Sequence, residues 1–205
     1  AGGRGKTRTM TRLALGLVWL LHFLPLPLLA PVGEGFGMLL YILAQERRRV
    51  ARINLRLCFP GLSDAERERL VRRHFRAFGR SLLERGILWW SSAKRIRRLV
   101  QIEGMEHWQA VRDRPVIWLA PHFVGLDMGG VRLTSEFPLV STYSRQKRSP
   151  EFDALLRHGR TRFGMTTLFS RQQGMRPVVK ALRSGLPYYY LPDMDFGSRD
   201  SVFVP

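Results

Sequence analysis

The chain has 205 residues, 45% of them hydrophobic, so it can bury a sizeable core, and one domain is the default expectation. Its 34 lysines and arginines outnumber 16 acids, and the net charge of +18 indicates an anionic partner such as nucleic acid, phospholipid headgroups or phosphorylated glycans. Cys58 is the single cysteine, which excludes an intramolecular disulfide and a zinc site built from several thiolates.

The N-terminal part of the chain divides into a basic and an apolar segment. Residues 1–12 are rich in glycine and basic side chains, and we expect a flexible N-terminus there. Residues 13–43 are mostly apolar, but His22 and three prolines interrupt them, and the unbroken run 13–21 is shorter than the roughly 20 residues of a membrane span. We expect this segment to anchor the chain to a membrane; a kinked span, an interfacial helix and a buried hairpin remain open.

A long basic helix is predicted to follow. Ser63 and Glu66 have the spacing of a capping box, which typically marks a helix start. Apolar residues then recur at helical spacing as far as Leu82, with arginines on the other faces. The pattern predicts an amphipathic helix that ends near the pair Trp89-Trp90.

Beyond Val100 short apolar runs alternate with helical patterns. The predicted strands are 116–120, 139–143, 166–169 and 188–191, and the predicted helices are 126–135, 150–163 and 176–184. Such alternation predicts an α/β fold, with a mostly parallel central sheet flanked by helices. We assign residues 44–205 to this domain and expect its ligand site at the carboxyl ends of the strands.

The predicted first strand leads directly into a histidine and a carboxylate five positions apart, His122 and Asp127. A neutral imidazole held by a carboxylate can take a proton from a hydroxyl near neutral pH. No serine or cysteine lies between the two residues. The motif therefore indicates a base that activates a hydroxyl of the substrate, although a purely structural histidine is the alternative on spacing alone.

Further polar residues follow the other predicted strands. Tyr143 and Arg145 come after the second strand, Arg162 ends the helix that follows, and Asp193 and Asp195 come after the last strand. We expect these residues to bind substrate, with the arginines facing a phosphate or an oxyanion. Two aspartates at this spacing also resemble ligands of a hard cation, but such pairs are common in turns, so we expect no metal site.

His122-x4-Asp127 resembles the signature of the lysophospholipid acyltransferase superfamily. The surrounding blocks resemble its lipid A branch, the late lauroyl/myristoyl acyltransferases, in order from about residue 13 to the end. The blocks are 54–63 (NLRLCFPGLS), 102–106 (IEGME), 143–145 (YSR), 160–164 (RTRFG), 180–185 (KALRSG), 191–197 (LPDMDFG) and 202–205 (VFVP).

The resemblance implies an enzyme of the bacterial inner membrane whose α/β domain faces the cytoplasm. It would transfer an acyl group from acyl carrier protein to a hydroxyl of a lipid A precursor without a further cofactor. His122 would be the general base and Asp127 would orient it, although the acid in this family is often Glu. The family continues beyond a block like Val202-Phe203-Val204-Pro205, so we expect this chain to be C-terminally truncated.

Two alternatives accompany this interpretation. The same dyad would serve an acyltransferase whose acceptor is a lysophospholipid, an aminolipid or another glycolipid. The net charge also fits a basic nucleic-acid-binding protein, but the sequence has no recognisable nucleic-acid module and its aromatic residues lie within apolar runs. We therefore expect acyl carrier protein, a lipid A precursor and an anionic membrane as partners, and no nucleic acid.

Overall fold

The structure is a computed structural model that describes residues 2–144 and 150–193, with the backbone alone for residues 2–10. Its contacts divide the chain into two compact units, Ala1–Ser91 and Ser92–Pro205. The sequence pattern places the boundary after residue 43 instead. The difference arises because the polar helices that follow residue 44 pack against the apolar helix that precedes it.

The first unit is helical throughout its regular elements, which are α1 (Gly2–Leu21), α2 (Leu26–Leu43), α3 (Gln45–Cys58) and α4 (Asp64–Trp90). Helix α1 begins at Gly2, whereas the sequence pattern predicts a flexible N-terminus for residues 1–12. A helix nucleated in the apolar run 13–21 extends at little cost per residue, which explains the difference. The capping box of Ser63 and Glu66 is present at the start of α4, as predicted.

Helices α2 and α4 approach each other closely through glycine. A Cβ atom added to Gly37 would lie 2.1 Å from the carbonyl oxygen of Phe75, and one added to Gly79 would lie 2.3 Å from the Cα of Gly37. Tyr41, Val71 and Phe75 form the buried cluster beside this crossing. The glycines therefore set the distance at which the two helices pack.

Helix α3 is attached to helices α2 and α4 by charged hydrogen bonds. The guanidinium of Arg52 donates from Nε to Oε2 of Glu68 at 2.8 Å and from Nη2 to Oε1 at 3.0 Å, and the Tyr41 hydroxyl donates to the same carboxylate. The hydrogen bond from Arg52 is the main reason that the pKa of Glu68 falls to about 2. A carboxylate of α4 thus connects residues of α2 and α3.

Helix α2 is also the element that carries the predicted membrane association. By length and composition this 18-residue helix could cross a membrane, and residues 11–21 form a shorter apolar helical stretch. Apolar side chains of both helices are exposed, among them Leu17, Leu28 and Ile42.

The second unit contains a small sheet in which each strand pairing is parallel, in the order β1-β4-β2-β3. This agrees with the predicted α/β fold, and the helices exceed the strands in length. Its elements are α5 (Ala93–Leu99), α6 (Met105–Gln109), β1 (Ile117–Leu119), α7 (Leu126–Thr134), β2 (Leu139–Tyr143), α8 (Pro150–Thr161), β3 (Thr166–Ser170), a 3-10 turn (Arg171–Gln173), α9 (Arg176–Arg183) and β4 (Tyr188–Tyr190).

Buried residues at the centre of the sheet account for the register of its strands. Tyr188 is aligned with Ile117 on one side and with Val140 on the other, and Val140, Val178 and Tyr188 form a buried cluster. Gly185, with φ at 89°, ends the preceding helix in a left-handed conformation. Because the strands are parallel, the segments that follow β1, β2 and β4 emerge at the same edge.

We expect Gly37→Ala to lower the free energy of unfolding by about 3 kcal/mol or more, because the new methyl group meets backbone atoms of α4. Gly35→Ala is the matched control on the same helix, since a Cβ there has nothing within 4 Å. It should stabilise by about 0.5–1 kcal/mol. Chemical denaturation followed by circular dichroism compares the two, and equal effects would contradict the close approach.

Glu68→Gln should destabilise the first unit at neutral pH by about 1 kcal/mol, because it removes the charged acceptor of Arg52. The pKa of Glu68 is depressed in the folded state, so this contribution is complete above the ordinary value of 4.5 and is lost as pH falls towards about 2. Hydrogen exchange of α4 amides across this range measures it. The exposed Glu46→Gln is the control, and an unchanged difference at pH 2 would contradict the assignment.

Candidate active site

Two adjacent parallel strands bring His122 to the carboxyl edge of the sheet. The backbone N–H of Ala120 donates to the carbonyl of Tyr190 at 2.8 Å, which extends the pairing of β1 and β4 by one residue. Pro121 then turns the chain into the loop that carries His122. The segment after β4 leaves the same edge and reaches Asp193 three residues later.

The carboxylate of Asp193 holds His122 at two points. Its Oδ2 accepts the backbone N–H of His122 at 2.7 Å, and its Oδ1 lies 2.7 Å from the ring Nδ1. The hydrogen bond to the His122 side chain is the main cause that lowers the pKa of Asp193, and the bond to the His122 backbone adds to it. A carboxylate can only accept, so Nδ1 carries the proton and Nε2 of the neutral ring carries the lone pair.

The sequence pattern assigns the orienting role to Asp127, and that role stays a prediction. The Oδ1 of Asp127 accepts from Nη2 of Arg160 at 2.8 Å. Gly125, with φ at 96°, turns the chain just before α7, and Asp127 lies in the first turn of that helix. Because α7 packs against α8, the side chain of Asp127 reaches the arginine of α8.

Tyr189 of the central strand β4 lies beneath that ion pair. Its hydroxyl is 3.4 Å from the carbonyl of Leu126, and burial followed by the charge of Asp127 raises the pKa of Tyr189 to about 12. Gly129 and Gly130 lie against this ring, since a Cβ at either would be 3.7–3.9 Å from it. The phenol therefore stays neutral and supports the start of α7.

An open groove of about 780 Å³ runs along the carboxyl edge of the sheet, and His122 is part of its lining. Hydroxyl-bearing residues line it at the end of β2, namely Thr142, Tyr143 and Ser144. Three cationic side chains belong to the same lining, Arg157, Arg160 and Arg171. The groove thus places a potential base beside donors suited to anionic groups.

A second, more open groove is lined in part by the residues that precede and follow His122 in its loop. Its lining is mainly apolar and aromatic, and includes Trp108, Trp118, Phe123, Val124 and Leu133. The rings of Trp108 and Trp118 meet edge to face with centroids 4.8 Å apart. The loop that carries His122 therefore contributes to both grooves, His122 to the first and Phe123 and Val124 to the second. We call the first, which contains the cationic side chains beside apolar ones, the polar groove, and the second the apolar groove.

The remaining predicted site residues have different outcomes. Tyr143 lines the polar groove, and its ring lies 5.7 Å from the guanidinium carbon of Arg157. Arg162 lies over the ring of Phe163 at 4.4 Å and is not part of the groove lining, and burial lowers its pKa. Arg145 and Asp195 lie outside the described residues.

The sequence pattern does not identify the cationic lining or the partner of His122. Arginine is so frequent here that no single one stands out, since only four of the 34 basic residues are lysines. Within residues 2–144 and 150–193, no group of three or more histidine, cysteine or acidic side chains is arranged to hold a metal ion. Asp193, which the sequence presents as one half of a possible ligand pair, is engaged by His122.

Comparison with known proteins gives consistent matches. A family model described as bacterial lipid A biosynthesis acyltransferase matches residues 4–205. The chain is similar to three Escherichia coli K12 proteins of lipid A biosynthesis. It is 34% identical to the lauroyltransferase over 96% of this chain and 64% of that protein, and 31% identical to the palmitoleoyltransferase over the same shares. It is 33% identical to the myristoyltransferase over 87% of this chain and 54% of that protein.

We expect His122→Ala to raise the pKa of Asp193 towards the ordinary aspartate range near 4, because the carboxylate loses its main hydrogen-bond partner. Carboxyl carbon chemical shifts followed by NMR during an acid titration measure this change. Asp127→Asn is the matched control, since Asp127 pairs with Arg160, and it should leave the titration of Asp193 unchanged. The opposite pattern would show that Asp127 is the partner of His122.

Proposed function

The chain belongs to the bacterial lipid A biosynthesis acyltransferase family, and from that membership we propose that it moves a fatty acyl chain from acyl carrier protein to a hydroxyl of a lipid A precursor. It spans 64% of the length of the lauroyltransferase, so the activity proposed is that of the whole protein. The observation that carries the mechanism is the His122–Asp193 pair at the margin of the polar groove.

In this mechanism His122 is the general base. Asp193 holds the proton on Nδ1, so Nε2 is the nitrogen that takes a proton from the acceptor hydroxyl. The acceptor oxygen then bonds to the thioester carbonyl carbon, the carbon–sulfur bond breaks, and the departing thiolate of acyl carrier protein takes the proton from the imidazolium and leaves as the thiol. Asp193 stabilises the positive charge that the ring carries between these two transfers.

Direct transfer without an acyl-enzyme fits the neighbours of His122. The hydroxyl of Ser144, which lines the polar groove, accepts from Nη1 of Arg171 at 3.4 Å, whereas the ring Nδ1 of His122 lies against Asp193. An acyl-enzyme would need a nucleophile in hydrogen-bond contact with the base.

The cations of the polar groove suit an acceptor that carries phosphates and sugar carboxylates. Arg160 is held in place by Asp127, and a guanidinium anchored on one side can present its remaining donors to an anion. Arg157 and Arg171 extend the positive lining along the groove. These three residues replace Arg162 in our proposal, and Arg145 stays a prediction.

The apolar groove offers a place for the acyl chain. Aromatic and aliphatic side chains line it directly beside the His122 loop, among them Trp118, Phe123 and Leu133. A thioester at His122 would have its hydrocarbon tail in this groove and the anionic acceptor in the polar groove. Burying the tail there supplies binding energy in proportion to its length.

Charge and hydropathy support the proposed donor and location. Acyl carrier protein and the lipid phosphates are anionic, and the chain has a net charge of +18. Helix α2 has the length and composition of a membrane-associated segment. We therefore place the enzyme at the inner membrane with the second unit in the cytoplasm, where acyl carrier protein is available.

Acyl transfer by the purified full-length protein tests this proposal, with acyl carrier protein thioesters as donors. His122→Ala should lower kcat about 10²–10⁴-fold, because it removes the proton transfer. Asp193→Asn should lower kcat by a smaller factor, because the ring loses its anionic partner. His107→Ala is the matched control, since His107 is exposed in the same unit, and it should keep the parental rate.

A parental rate in His122→Ala would exclude the base mechanism. Acceptor specificity is read from the same assay with a lipid A precursor, a lysophospholipid, an aminolipid and another glycolipid in parallel. Transfer only to a lysophospholipid, or to either of the other two acceptors, would keep the base and change the acceptor. Salt-sensitive DNA binding without any acyl transfer would overturn the enzymatic function.

A further inference from the structure

Helix α3 has apolar residues on two opposite sides. On the inner side Ala51 and Leu55 pack against the cluster formed by Tyr41, Val71 and Phe75. On the outer side Val50, Ile53 and Leu57 remain exposed, at 41%, 45% and 74% of their surface. At about 100° per residue these three side chains form one stripe that points away from α2 and α4. We call Val50, Ile53 and Leu57 the outer stripe.

Arginines border the outer stripe on both of its sides. At helical spacing Arg49 and Arg56 fall along one margin and Arg47 falls along the other, and all three are exposed. The two other arginines of α3 point inward, since Arg48 donates to the carbonyl of Tyr41 and Arg52 pairs with Glu68. The exposed face is therefore an apolar strip between cationic margins, with the exposed Glu46 in line with the strip at its N-terminal end.

We propose that helix α3 docks on the surface of an anionic lipid bilayer through the outer stripe. The apolar side chains enter the boundary between headgroups and acyl chains, and the bordering arginines contact lipid phosphates. An amphipathic helix with arginines beside its apolar face is suited to this position. This docking rests on the proposed function only for the choice of a lipid partner.

Continuity with α2 favours lipid over a protein partner. Leu39, Ile42 and Leu43 are exposed near the end of α2, and only Ala44 separates that helix from α3. Exposed apolar surface therefore runs from the helix with the composition of a membrane segment into the outer stripe. An acidic protein would match the arginines but would not account for this extension.

Helix α4, which packs against α2, indicates that the outer stripe lies at the level of the lipid headgroups. Helix α4 runs along α2 in the opposite direction, with Glu68 beside Tyr41 and Arg80 beside Gly33. Arginines are exposed along the same part of α4, namely Arg72, Arg73 and Arg76. Charged side chains are costly in hydrocarbon, so the packed α2–α4 pair belongs at the membrane surface. Helix α3, attached to both, lies at that surface too.

A fluorophore on the outer stripe tests the docking in the full-length protein. Cys58→Ser removes the exposed native cysteine, and Ile53→Cys introduces a site for an environment-sensitive label. On adding vesicles of phosphatidylglycerol and phosphatidylcholine, the label should brighten and should be quenched by lipids that carry a quencher in their acyl chains. The matched control is the same label at Ala65→Cys, an exposed position in the first turn of α4, which should not respond.

Charge removal tests the role of the arginines. Arg49→Gln and Arg56→Gln should each weaken the response at position 53 about five-fold, as expected for one cation near an anionic surface. Arg112→Gln makes the same charge change at an exposed position of the second unit and should leave the response unchanged. Vesicles of phosphatidylcholine alone should give a weaker response with no dependence on these arginines.

Three results would overturn the docking. They are no response at position 53 with anionic vesicles, an equal response at position 65, and a response to added acyl carrier protein in the absence of vesicles. The last result would assign the outer stripe to an acidic protein. The label reports on lipid contact without any acyl transfer, so a failure of the docking and a failure of the proposed activity are distinguishable.

Discussion

Parallel pairing of β1 with β4 brings together two residues that lie 71 positions apart in the chain, His122 and Asp193. Each follows the carboxyl end of its strand by three residues, and these short connections keep the two side chains close together. The backbone N–H of His122 donates to the same carboxylate as its ring. The side chain of Asp193 therefore fixes both the position of the His122 loop and the orientation of the His122 ring. Both grooves are lined by residues of this loop, so their shape depends on Asp193.

The alternation of strands and helices could be predicted from the sequence because each element has its own local signal. The hydrophobic periodicity, the helix-capping residues and the glycine after α9 are signals that extend over only a few residues. They predict the positions of the strands and helices. The contact of His122 with Asp193 could not be predicted from such local signals. Sequence proximity favours Asp127, but strand pairing decides which carboxylate arrives, and that depends on sheet order. The division by contacts differs from the predicted boundary for a related reason, since charge and hydropathy change at residue 44 while packing continues to Ser91.

Arginine has three separate uses in this chain, which composition alone cannot distinguish. Arg52 binds a carboxylate inside the first unit, and Arg160 does so in the second while still lining a groove. Arg49 and Arg56 have exposed side chains beside an apolar stripe. The net charge of +18 therefore combines structural cations with cations available to ligands. Only the contacts of each guanidinium show to which group it belongs.

The ion pair of Asp127 with Arg160 gives the signature carboxylate a supporting role in this geometry. Asp127 lies in the first turn of α7, where the helix dipole favours a negative charge, and Tyr189 packs beneath that turn. The carboxylate thereby connects the start of α7 with α8, and α8 carries two of the cations that line the polar groove, Arg157 and Arg160. Asp193 holds His122 and Asp127 holds Arg160, so each of these two carboxylates fixes a different side chain of the groove lining. Gly125, with φ at 96°, provides the turn between the loop that carries His122 and the helix that carries Asp127.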